Sequence, residues 1–141
     1  MRKSAVVATH MQQSLSDIEW LHGSMATLDD RPLIPFAEET IEQLNALSSA
    51  LLKDPVSRQY PDVVTFGFFC RKANLLKLKE QYVHAGLRIG RGMVFHIAPS
   101  NVPVNFAYSM VAGLLSGNTN VVRVSQKSFP QVDIIVKHMR E

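Results

Sequence analysis

Between Met93 and Met139 the apolar positions change period from one stretch to the next. Met93–Ala98 is nearly continuous in apolar residues, the pattern of a strand covered on both faces. Pro103–Ser116 reads as a helix opened by proline and closed by Gly117-Asn118. Val121–Val124 is a second apolar strand, and Ser128-Phe129-Pro130 opens a last helix in which Val132, Ile135, Val136 and Met139 are apolar. Strand, helix, strand and helix of these lengths predict a parallel crossover unit and an α/β fold.

Upstream the period is helical. Ala37, Ile41, Leu44, Leu47 and Leu51 recur every three or four residues and predict a helix over Phe36–Lys53. Glu38 and Glu39 in its first turn and Lys53 in its last suit the helix dipole. Asp54–Asp62 interrupts the pattern, with Pro61 placed for a first helical position. A second helix is expected from there to about Tyr82. It is apolar around much of its surface (Phe66, Phe69, Ala73 and Leu76 on one side, Val64, Phe68, Leu75 and Leu78 on another), so it requires burial on more than one side. Earlier still, Leu15, Ile18 and Leu21 suggest a short helix ending at Gly23. Thr27–Pro35 reads as a linker in which Pro32 and Pro35 would stop any helix. The expected organisation is an N-terminal segment and linker over 1–35, then a helical lead-in and the start of an α/β domain over 36–141. Two strands alone would leave both sheet edges open, as in the front part of a larger fold.

Composition narrows the field. A chain of 141 residues, 46% apolar, has the material for one domain with a core. The net charge of +3 comes from scattered Lys and Arg with acids nearby, as in Cys70–Glu80, which argues against a nucleic-acid partner. The single cysteine excludes an intramolecular disulfide and fits a reducing cytoplasm. Ala5–Ala8 is too short for a signal-peptide core, and no stretch approaches membrane-spanning length. His10, His22, His84 and His138 show no metal-ligand spacing. Gly90-Arg91-Gly92 lacks the third glycine of a dinucleotide fingerprint. Cys70, among Phe68, Phe69 and Ala73, reads as a buried structural thiol, and His96 as a satisfied histidine of the strand.

The segment His96–Lys127 resembles the start of the cofactor-binding domain of the aldehyde dehydrogenase superfamily. That pattern is an apolar strand, Pro-x-Asn-x-Pro, a helix, Gly-Asn, and a strand running into Lys-Pro-Ser-Glu. "FHIAPSNVP" and "GLLSGN", with "RPLIPF" and "YPDVVTFGFFCRKANLLKL" before them, are similar to the acyl-CoA reductase (LuxC-like) branch. The resemblance spans roughly Arg31–Glu141 and implies the first βαβ unit of a Rossmann-type domain.

The resemblance implies NADPH-dependent reduction of a fatty acyl-CoA or acyl-protein thioester to an aldehyde, through an acyl-cysteine whose thiolate lies beyond Glu141. It makes Asn101 the donor to the oxyanion. The residue chemistry agrees, since a neutral amide fixed at a strand end offers two N–H donors and cannot ionise. An ordinary turn residue is the competing reading. Arg123, Val124, Ser125 and Gln126 take the place of the family's Lys-Pro-Ser-Glu, which implies that Arg123, Ser125 and Gln126, with Lys127 after them, hold the cofactor. Gln126 in place of the acid, with cations at Arg123 and Lys127, leans towards NADP over NAD. A strand-end Arg paired with a nearby acid is the simpler alternative for Arg123. A homo-oligomer or an acyl-transferring partner enzyme is compatible with this activity. The rivals are an NAD-dependent aldehyde oxidiser, favoured by an acid at position 126, and a non-catalytic remnant or interaction module.

Overall fold

Parallel pairing of Met93–Ile97 with Thr119–Val124 organises the structure, a computed structural model that describes residues 4–8, 18–29, 31–82 and 86–140. In chain order these residues form β1 (Ser4–Ala8), β2 (Glu19–His22), α1 (Glu38–Lys53), α2 (Pro61–Phe69), α3 (Lys72–Tyr82), β3 (Met93–Ile97), α4 (Asn105–Leu115), β4 (Thr119–Val124) and α5 (Pro130–Arg140). Short 3-10 turns lie at Met25–Thr27 and Ser57–Gln59. The sheet order is β2-β1-β4-β3, with β1 parallel to β4 and antiparallel to β2. No helix among the described residues is long and apolar enough to cross a membrane.

The expected β3–α4–β4–α5 unit is present within a residue or two of its predicted limits. The described end of the expected N-terminal helix is strand instead: Glu19–His22, around Leu21, is β2, and Leu15 lies outside the described residues. Three apolar positions at one spacing do not distinguish helix from strand, and the pairing with β1 that decides the matter is not local. The expectation of two open sheet edges changes with it, because β4 has β1 on one side and β3 on the other.

The helix expected to reach Tyr82 is two helices. At Cys70 the backbone turns out of α2 (φ −78°, ψ 0°): its N–H donates to the Phe66 carbonyl and the Arg71 N–H to the Phe68 carbonyl. α3 restarts at Lys72, whose N–H donates 2.9 Å to Oδ1 of Asn45 on α1. The capping side chain is 27 residues away, so nothing local announces the break. α1 also holds α2 directly, through the buried Ser48 hydroxyl donating 2.6 Å to the Gly67 carbonyl.

The helices share one core, in which Leu44, Leu51, Phe66, Leu75, Phe106, Met110 and Ile135 are fully buried. Val122 and Val124 join it from β4. The opposite face of β3 is bare: Met93, Phe95 and Ile97 are 51%, 60% and 69% exposed. β3 is therefore covered on one face only, unlike the expectation from its continuous apolar run.

Residues 28–29 and 31–36 are stitched to the end of α4 and the turn into β4. Leu33 N–H donates to the Gly117 carbonyl (2.9 Å), Phe36 N–H to Leu115 (2.7 Å), and the Thr119 hydroxyl to Asp29. Gly117 sits at φ +80°, where its missing Cβ leaves the Leu33 carbonyl room; a Cβ would lie 2.1 Å from that oxygen.

Candidate functional site

Because β3 and β4 run parallel as neighbours, the loops that leave their C-terminal ends emerge side by side. In α/β sheets that end is where ligands bind. The Ala98 N–H donates 3.0 Å to the Arg123 carbonyl and ties the roots of the two loops together. A narrow apolar seam formed by Pro99, Pro103, Phe106, Val124 and Phe129 closes the space beneath them.

The first loop carries Asn101. Pro99 and Pro103 bracket it, and the chain enters α4 with the Asn105 N–H donating 3.2 Å to the Val102 carbonyl. Proline fixes φ on both flanks and removes two donors, so few backbone conformations remain to this loop. Asn101 is exposed, and its amide makes no hydrogen bond among the described residues.

The second loop carries the other candidates. The Ser125 hydroxyl accepts the Lys127 N–H at 3.1 Å, a local turn that sets the path towards α5. Gln126 and Lys127 are exposed; Ser125 is half-buried. Arg123 lies earlier, within β4, in register with Ile97, and is half-buried. Arg123 and Gln126 each have an interaction within the chain. The two loops thus carry a neutral amide, a hydroxyl, a second amide and the Lys127 cation, with Arg123 at the end of β4 before them.

The two groups set aside on sequence grounds behave as expected. Burial pushes the Cys70 thiol up to about 12, so at neutral pH it is not a thiolate. His96 is paired with Asn120 through Nε2···Oδ1 at 2.8 Å. The Asn120 amide N–H donates 2.9 Å to the Asn118 carbonyl, which leaves Oδ1 as acceptor and makes His96 Nε2 the donor. This pair is seated on Gly113 of α4, where a Cβ would fall 1.7 Å from Asn120 Oδ1 and 3.0 Å from His96 Nε2.

The sequence reading missed that joint. Its signals were a glycine inside an otherwise apolar helix and an asparagine inside a buried strand. Among the described residues no group of three His, Cys, Asp or Glu side chains could hold a metal ion.

The model of the acyl-CoA reductase (LuxC) family matches residues 7–139. No curated protein and no solved structure matches the chain.

Proposed function

Because the chain belongs to the acyl-CoA reductase (LuxC) family, we propose that it serves the NADPH-dependent reduction of a fatty acyl thioester to an aldehyde. Family membership across residues 7–139 carries this reading. The adjacency of the Asn101 loop and the Ser125–Lys127 turn supports it. On this reading β3, α4, β4 and α5 are the opening crossover of an aldehyde dehydrogenase-type Rossmann domain.

The reaction starts when a cysteine thiolate attacks the thioester carbonyl and CoA leaves as its thiolate. NADPH, when bound, supplies the hydride that then adds to the carbonyl carbon of the acyl-cysteine. The adduct collapses to aldehyde as the cysteine sulfur departs. Cys70 is buried, with its thiol pushed up to about 12, and does not suit the part of that sulfur. Negative charge develops on the carbonyl oxygen in both additions. Asn101 donates an amide N–H to that oxygen, and its two flanking prolines hold the donor in place before the charge appears.

Ser125, Gln126 and Lys127 bind the adenosine ribose and its 2′-phosphate. Lys127 supplies the charge-assisted contact, Ser125 and Gln126 the neutral ones. Arg123, which has its own interaction within the chain, adds positive potential beside this turn.

The test is aldehyde formation from a long-chain acyl-CoA with NADPH or NADH as reductant. Aldehyde with a higher kcat/KM for NADPH is the expected result. Absence of aldehyde with either cofactor, from protein that is folded, contradicts the reading.

A further inference from the structure

At the other end of the sheet, where β3 and β4 begin, a groove of about 1050 Å³ opens between α3, the last turn of α4 and residues 87–91. Its floor is apolar, formed by Phe36, Phe69, Leu78 and Leu115. Tyr82, Leu87 and Ile89 flank it and stay 59%, 91% and 64% exposed, more apolar surface than a closed face would leave in water. Arg88 and Arg91 stand at the same groove, both exposed. Neither makes an ion pair among the described residues.

A second observation concerns Phe36. Its φ of +54° is the one positive value at a non-glycine among the described residues. A bulky aromatic holds that conformation only where its surroundings impose it, and such strain gathers at ligand clamps and active sites. Here the Phe36 N–H is fixed to the Leu115 carbonyl at 2.7 Å, and Lys79 Nζ donates 3.3 Å to the Phe36 carbonyl. The ring stacks on Tyr82 at 6.4 Å between centroids. The fold thus keeps a strained backbone position that puts an aromatic ring in the groove wall.

We propose that this groove binds a single-tailed anionic amphiphile from solution. The apolar tail lies along Phe36, Phe69 and Leu78. The head group, carboxylate or phosphate, sits between Arg88 and Arg91. An apolar ligand would have no use for two guanidiniums, and a small free anion none for the aromatic floor. The guanidinium fork matches either oxyanion head group, and the groove is of the size that takes one small molecule. The site lies at the opposite end of the strands from Asn101 and stands independently of the reductase reading.

Calorimetric titration with dodecanoate, dodecyl phosphate and dodecanol, each below its micelle or solubility limit, tests it. Both anions should bind one per chain, with dodecanol at least ~10-fold weaker. The double variant Arg88→Ala/Arg91→Ala should lose ~10-fold or more for the anions while its circular dichroism stays unchanged. Leu78→Trp, which fills the floor, should weaken all three ligands, and Asn101→Ala should weaken none. If the arginine variant fails to fold, the comparison of dodecanoate with dodecanol on the wild type still decides. Equal binding of those two, undiminished binding in the double variant, loss of binding in Asn101→Ala, or association only with anionic vesicles would each overturn the proposal.

Discussion

Asn101 and Gly113 contrast what one residue reveals with what it conceals. Asn101 stands out as a candidate from its neighbours, because two prolines in register mark a rigid loop at a strand end and a family pattern repeats around it. Gly113 does not. Its importance arises from Asn120 and His96, which reach it from two strands of the folded sheet. Gly113→Ala should cost about 1–3 kcal/mol, since its Cβ overlaps a fully buried, hydrogen-bonded amide that has nowhere to go. In an Asn120→Ala background the same change should cost less, and a double-mutant cycle by urea unfolding measures that coupling. Additive costs would show that the Asn120 contact is not the origin. Gln126→Glu tests the second loop. A carboxylate there should lower kcat/KM for NADPH relative to NADH by at least ~10-fold, and an unchanged ratio would count against placing the 2′-phosphate at this turn.

The elements were legible where their cause is local. α1, α4 and α5 follow from their own periodicity and caps. The break between α2 and α3 does not, because Asn45 supplies the cap from α1, and β2 needs β1 to exist at all. A further link between elements joins the end of α1 to α5: Asp54 Oδ2 lies 2.9 Å from His138 Nε2, with both side chains nearly buried. The His138 hydrogen bond, then the Val56 N–H and the Ser57 hydroxyl, hold the Asp54 carboxyl at about 2, below its ordinary 3.8. A carboxyl with a depressed folded-state pKa stabilises the fold above its unfolded value and loses that contribution as pH falls towards the folded one. The chain should therefore lose stability between about pH 4 and pH 2. Asp54→Asn should be less stable at neutral pH and flatter across that acid range, as followed by urea midpoints. An equally steep acid loss in the variant would exclude Asp54 as its source.

For the whole molecule, all helices and one sheet face form a single core, while β3 turns Met93, Phe95 and Ile97 to solvent. Sequence alone could say that β3 is apolar; it could not say which face the helices of this chain would take. The 141-residue chain by itself should bind an apolar-surface dye, and Phe95→Lys/Ile97→Lys should reduce that signal without lowering stability. A strong loss of stability would mean that this face is covered after all.

The β3–β4 pairing also sets the geometry on which the proposed reductase function depends, with the Asn101 loop and the Ser125–Lys127 turn side by side at the strand ends. Steady-state turnover of a long-chain acyl-CoA by the wild type and Asn101→Ala tests this most directly. Loss of one oxyanion donor should lower kcat by about 10²–10³-fold, with KM for NADPH and the thermal midpoint nearly unchanged. A variant that keeps near-normal kcat would make Asn101 an ordinary turn residue and contradict the account.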